Sequence, residues 1–334
     1  GVACYMYGTG TGYITDGAHC FVQAQPDGSL NIGISSNELG QGFLIAMRQI
    51  AADTFGVPIE KVYLDFSDSA ASVEAGATVA SRTTVFLGNA VMNGNVLRER
   101  FLPVAAQMLG AKKEDLDVDN GFVFDTTDEA KRVPYASVIS KAFAMQIPLA
   151  CVGSWYPPKA YADENGQGVK MHTYAFAAQA AIVSVNVKTG EVAVDDTVLA
   201  VDVGHAINPD TVEGQMHGGM AQAIGWSLME EEFMKDGKMR NHTFHDYLIP
   251  TAMDLPKLRT IIVEHPNSLG PYGAKGVSEV ATVPITPAIL NAVSRAVGVR
   301  INKVPASPEV ILEAIRTGKC DVPTMAEQVA ALAK

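Results

Sequence analysis

The chain has 334 residues, of which 48% are hydrophobic, enough apolar material for one large core or two modest ones and too much for a disordered protein. A net charge of −11 argues against nucleic acid or an anionic membrane as partner, because phosphate binding depends on clustered Lys and Arg. Cys4, Cys20, Cys151 and Cys320 lie far apart, without the spacing of a zinc or iron–sulfur site, and read as reduced, mostly buried thiols. With no run of about 18 consecutive apolar residues and no charged-then-apolar leader, a cytoplasmic location is expected.

Along the chain, Gly8, Gly10 and Gly12 form a G-x-G-x-G that leads into strands rather than a helix, which removes the dinucleotide reading. The expectation is a turn passing close to a ligand or another chain, with Tyr13 lining the space. Ala18–Ser35 alternates about Pro26-Asp27-Gly28 as a hairpin. A polar loop then enters a helix over Phe43–Phe55, which Gly56 stops. Within that loop Gly40, Gln41 and Gly42 place an amide beside a helix N-terminus. Gln41 is either a donor to a metal-bound oxygen or a polar turn residue.

Ala77, Thr78, Val79, Ala80, Ser81, Arg82 and Thr83 precede a helix expected over Val85–Leu109, with Ser81 as its N-cap. Small residues, hydroxyls and a guanidinium at a helix start suit a phosphate-bearing ligand, and they equally suit a plain helix start. Residues 110–150 read as short strands and turns, and 160–170 as an exposed loop. A second hairpin flanks Lys188-Thr189-Gly190, followed by a helix that Asn208 caps and Pro209 opens, running to Glu230. The repeated hairpin-then-helix pattern predicts an α+β protein of two similar halves, 1–150 and 151–334. On the second of these helices Gln215, Gly218, Gly219 and Gln222 share one face, fit for tight helix packing or for a polar ligand.

The stretch Gly270–Val280 sets Glu279 among Val277, Val280 and Val283 in a glycine-punctuated loop. A carboxylate there is either a proton-transfer group or a loop residue that caps the helix starting near Pro287 or pairs with Lys275.

Leu39–Gly42, Ala80–Ala90, Gly214–Gln222, His245–Pro250 and Gly270–Val280 occur in this order, and together they resemble the xanthine dehydrogenase and aldehyde oxidoreductase family, over the C-terminal half of its molybdenum-binding subunit. Among members with a divided molybdenum polypeptide the chain is most similar to medium molybdopterin subunits of the nicotinate dehydrogenase type. The resemblance implies two mixed α/β domains of the molybdopterin-binding kind. It implies molybdopterin cytosine dinucleotide carrying molybdenum with a terminal sulfido or selenido ligand, the metal held by the pterin dithiolene and by no protein atom. Gln41 would lie near the metal's ligands, Ala77 to Thr83 beside molybdenum and pterin, and Gln215 beside the pterin. Glu279 would deprotonate the metal's hydroxide for hydroxylation of a small N-heteroaromatic substrate, nicotinate-like or purine. The alternatives are an aldehyde oxidoreductase subunit and a noncatalytic scaffold. Implied partners are a large molybdopterin subunit with the N-terminal half of the molybdenum domain, a [2Fe–2S] subunit and an FAD subunit. Ser278 stands where the family usually has Gly, and Val280 where many members have Pro.

Overall fold

The computed structural model describes residues 1–320 apart from 13–15, 67 and 69. In chain order the first elements are β1 (Val2–Gly8), β2 (Ala18–Ala24), β3 (Leu30–Ile34), α1 (Phe43–Phe55), β4 (Val62–Phe66), α2 (Thr83–Asn93) and α3 (Val96–Leu109). Next come β5 (Leu116–Asp119), β6 (Phe122–Asp125), β7 (Asp128–Pro134), α4 (Tyr135–Ala144), β8 (Ala150–Trp155), β9 (Tyr161–Ala162) and β10 (Gly168–Val169). The chain continues through β11 (Tyr174–Val185), β12 (Val192–Asp202), α5 (Pro209–Leu228), β13 (Met234–Lys235), β14 (Lys238–Met239), β15 (Lys257–Val263), α6 (Ile285–Val297) and α7 (Pro308–Thr317).

Two four-stranded sheets carry the fold, ordered β4-β3-β2-β8 and β1-β11-β12-β15. Each holds an antiparallel hairpin, β2–β3 or β11–β12, whose second strand pairs in parallel with a strand reached through a helix, α1 or α5. A second helix, α2 or α6, follows in each. The outer strands are exchanged. β1 precedes β2 in sequence but pairs antiparallel with β11, and β8 precedes β11 but pairs antiparallel with β2. The sheets therefore cross the expected division at residue 150.

Strict alternation buries Cys20, Val22, Leu30, Ile32 and Ile34 on one face of the first sheet, against Met47, Ile50, Phe55, Phe86 and Phe101. The second core joins Leu199 and Val201 to Met216, Met220, Val280, Ile285, Ile289 and Val293. Each such side chain contributes roughly 1.5–3 kcal/mol through burial. The segment Glu279–Val297 is apolar enough to cross a bilayer by length and composition, with mean hydropathy 1.3, yet α6 is a core helix packed on β11 and β1.

The helix expected over Val85–Leu109 is two helices. Gly94, a poor helix former, closes α2 with its N–H on the carbonyls of Ala90, Val91 and Met92. Ser81 is not its N-cap: Arg82 holds that position without a side-chain cap. Residues 110–150 contain α4 besides strands, and 160–170 carry the β9–β10 pair. Of the thiols only Cys20 is fully buried, while Cys4 is exposed. The α1 boundaries and the Asn208 cap, whose side chain accepts from the Thr211 N–H, fall where the sequence places them.

Candidate active site between the two halves

The repeated topology brings corresponding loops together. The loop joining β4 to α2 and the loop joining β15 to α6 meet the β3–α1 loop and the first turns of α5 around a cleft of about 350 Å³. Gly40, Gln41, Gly42, Thr78, Val79, Ser81, Arg82, Thr83, Gln215 and Glu279 all contribute to its wall. Ala77 and Ala80 do not: the Ala77 carbonyl accepts from Arg82, and the Ala80 carbonyl accepts from the Gly10 N–H at 3.1 Å. The Gly8–Gly12 turn thus supports the cleft loop from behind. Tyr13 lies outside the described residues.

Glu279 is half-buried and opens a short helical turn, Glu279–Ala281. Its carboxylate accepts a hydrogen bond from the Ser81 hydroxyl. Ala80 and Ser81 both have positive φ, 51° and 50°, and it is this left-handed pair that precedes α2 and presents Ser81 to the opposite loop. The two loops touch so closely at Gly276 that a Cβ there would lie 1.7 Å from the Ser81 carbonyl oxygen. Both structural alternatives for Glu279 fail. Lys275 is buried in an ion pair with Asp202 at 2.6 Å, and the N-cap of α6 is Pro284, with no side-chain cap. The carboxylate therefore has no cationic partner among the described residues and faces the cleft.

Tyr7, on β1, is a site residue that the sequence reading missed. Burial first, then the charge and hydrogen-bonding of Glu279, push its phenol above the ordinary tyrosine value of 10.0. No local motif marks it, since β1 reaches the site only by pairing with β11.

Arg82 does not supply a free guanidinium. Nε donates to Asp16 at 3.2 Å, one terminal nitrogen donates to the Ala75 and Ala77 carbonyls at 2.8 and 2.9 Å, and the other to the Gly17 carbonyl and Asp16 at 2.6 and 2.8 Å. These partners account for all five of its N–H groups. The residue is 2% exposed and also stacks on Phe86, so it braces the loop from inside rather than binding an anion.

The start of α1 is likewise filled by the protein. Glu38 accepts from the backbone N–H groups of Gly40, Gly42 and Leu44, occupying the donors that favour anions. The Gln41 amide bonds within its own loop, accepting from Leu39 N–H and donating to the Asn37 carbonyl, which leaves one amide N–H for the cleft. The open donors lie elsewhere. α2 begins without a side-chain cap, and Thr83, Thr84 and Gln215 line the cleft with side chains that make no hydrogen bond among the described residues. Uncapped helix amides, two hydroxyls and a carboxamide around one cleft form a donor set that fits a polar, anionic, nitrogen-rich ligand such as a pterin phosphate.

The molybdopterin cofactor-binding domain family matches residues 1–256. A probable xanthine dehydrogenase component from Bacillus subtilis is 33% identical over 94% of this chain and 42% of that protein. The nicotine 6-hydroxylase large subunit of Paenarthrobacter nicotinovorans is 29% identical over 88% of this chain and 36% of that protein. Quinoline 2-oxidoreductase from Pseudomonas putida superposes with a TM-score of 0.84 at 30% identity, over 95% of this chain and 42% of that one. The chain thus spans about two-fifths of the length of these relatives.

Proposed function

This chain belongs to the molybdopterin cofactor-binding family of the xanthine dehydrogenase and aldehyde oxidoreductase type, and on that premise we propose that it is the catalytic molybdopterin subunit of a multi-chain, cytoplasmic molybdenum hydroxylase. Its substrate is a small N-heteroaromatic compound, nicotinate-like or purine. The cofactor is molybdopterin cytosine dinucleotide with a terminal sulfido or selenido ligand. A large molybdopterin subunit, a [2Fe–2S] subunit and an FAD subunit complete the enzyme. The nitrogen-heterocycle reading draws on the quinoline, nicotine and xanthine named for the three relatives.

The observation that carries the reading is the Glu279 carboxylate, which stands in the cleft without a cation among the described residues and is aimed by Ser81 from the facing loop. When bound, the cofactor supplies two-electron oxidation of the substrate carbon with oxygen derived from water. The first turn of α2, Thr83, Thr84 and Gln215 would hold it, Thr83 and Gln215 being among the residues the sequence nominates. Glu279 receives the proton at a carboxylate oxygen, and Ser81 keeps the other oxygen fixed through that transfer, as a positioned general base requires.

The deciding experiment purifies the complex through a tag on this chain and measures molybdenum, released cytidine nucleotide and turnover of nicotinate, purines and aldehydes. Molybdenum with turnover of a nitrogen heterocycle is the expected result. Turnover confined to aldehydes would move the assignment to an aldehyde oxidoreductase. Full activity after Glu279→Gln would make this chain a scaffold.

A further inference from the structure

The second sheet buries one face only. Its inner residues, among them Ala175, Ala177, Ala181, Leu199 and Val201, pack on α5 and α6. Period-two alternation sends the intervening residues to the other side. The register assembles them into rows that run across all four strands. Met6, Phe176, Asp202 and Val263 form one row, and Cys4, Ala178, Ala200 and Ile261 form the next. Val2 and Ile182 extend the surface toward the far end of the sheet.

This face is apolar and uncovered. Val2 is 62% exposed, Met6 58%, Phe176 51%, Ile182 60%, Ile261 51% and Val263 42%. Its carboxylates are paired within the chain, Asp202 with Lys275 at 2.6 Å and Asp196 with Arg259 at 2.6 Å, and Lys257 stands at the far end of the face, away from the Met6–Phe176 row. A contiguous apolar sheet face of this kind marks an interface.

We infer that the outer face of the β1-β11-β12-β15 sheet docks the partner chain that supplies the part of the relatives lying outside the match, and that the partner meets it with an apolar surface. The inference rests on the multi-chain reading above. Two observations select this occupant over a second copy. The Bacillus subtilis relative matches 94% of this chain, yet the match spans only 42% of that protein, so on the multi-chain reading the larger remaining portion belongs to another chain, and a second copy of this one reproduces none of it. The face is also continuous with the cleft, because Lys275 lines the cleft while its ammonium stands 5.7 Å from the centre of the Phe176 ring. A chain seated on the Met6–Phe176 row would therefore form a further wall of the same site.

The test is made on the complex recovered through a tag on the full chain, with the partner identified by mass spectrometry as matching the remainder of the relatives. Ile261→Glu should reduce recovered partner at least about tenfold, the scale of one buried apolar contact or more. It should leave the melting temperature of the tagged chain nearly unchanged, since the side chain already faces solvent. Phe143→Glu, at an exposed position on α4, should retain the partner. Independently of any variant, alkylation of exposed Cys4 should be at least about tenfold slower in the complex than in the separated chain. A retained partner after Ile261→Glu together with fully reactive Cys4 would overturn the surface while leaving the assembly reading intact. Wild-type protein recovered without such a partner overturns both, and Cys4 protected within a homodimer overturns the occupant.

Discussion

Ser81 and Glu279 stand 198 residues apart in the chain and share one hydrogen bond, donated by the Ser81 hydroxyl to the carboxylate. They occupy corresponding loops of the two halves, each lying between the parallel outer strand of its sheet and the helix that follows. The site is thus assembled by docking the halves, and neither loop holds it alone.

Glu279→Gln should leave molybdenum content unchanged and lower kcat/KM of the assembled enzyme by about 10²–10⁴-fold, the range a positioned general base contributes. The same substitution removes the charge that helps raise the Tyr7 phenol, so Tyr7 should ionise closer to the ordinary tyrosine value. Ultraviolet titration of the variant checks the second outcome without any substrate, and an unmoved Tyr7 would contradict the contact.

Ser81→Ala and Ser81→Gly separate hydrogen bonding from backbone strain. Both lose the hydroxyl, and because hydrogen bonds to charged groups are worth about 1.5–3 kcal/mol, both should lose roughly ten- to a hundredfold in kcat/KM. Glycine adopts positive φ freely, so Ser81→Gly should melt at a higher temperature than Ser81→Ala. Equal melting points would argue that the left-handed conformation carries no strain.

Arg82→Met should destabilise the protein by about 3–5 kcal/mol, since it strands the buried Asp16 carboxylate without its cation. Adding Asp16→Asn should recover part of that loss. Denaturant midpoints of the two variants provide the measurement. If Arg82 instead served as an anion ligand, Arg82→Met would reduce cofactor content with little change in stability.

Stability should fall as pH rises above about 9. Burial pushes the Cys20 thiol from its ordinary value to about 12, and it raises Cys151, Tyr7 and Tyr272 as well. These groups stay protonated in the folded chain while the unfolded chain ionises at lower pH. Their contribution is complete below the unfolded values and is lost as pH climbs through the folded ones. Each group costs roughly 1.4 kcal/mol per pH unit across its own window. Urea midpoints measured from pH 7 to 11 should decline beyond pH 9, less steeply for Cys20→Ala. A flat profile would contradict the sign.

Gly276→Ala should force the two cleft loops apart, because its Cβ meets backbone at 1.7 Å. Gly218→Ala meets nothing within 4 Å, and since alanine is the better helix former it should be neutral or stabilising by up to about 1 kcal/mol. Thermal melts of the pair distinguish close packing from open surface, and a milder effect at Gly276 than at Gly218 would refute the assignment.

The sequence makes local elements legible wherever periodicity and punctuation agree. Phe43–Phe55 shows helical spacing and a Gly56 stop, and Asn208-Pro209 announces a helix, so both come out with their ends in place. α4 carries the same kind of signal in Tyr135, Val138, Ile139 and Ala142, but the turn-rich stretch before it masks its start. The site is legible as a set of wall residues because most of them lie in glycine-rich loops, with Gln215 on the glycine-bearing face of α5. Their individual roles are not, because hydrogen-bond partners are set by tertiary contact. Arg82 reads as an anion ligand until Asp16 and three carbonyls occupy it, and Ser81 reads as a cap until Glu279 accepts its hydrogen bond. Tyr7 depends wholly on a strand pairing between distant segments.

The exchanged outer strands set a timetable for synthesis. β1 is made well before β11, whose residues Tyr174 to Ala180 are its partners, and β2 waits for β8 to complete its sheet. At roughly 5–20 residues per second, the delay between the birth of β1 and of its partner strand is on the order of ten to forty seconds. Throughout that interval the nascent chain carries unpaired strand edges, a condition that favours aggregation and the attention of chaperones. Production of this protein should therefore respond more to translation speed and chaperone supply than to the equilibrium stability of either sheet.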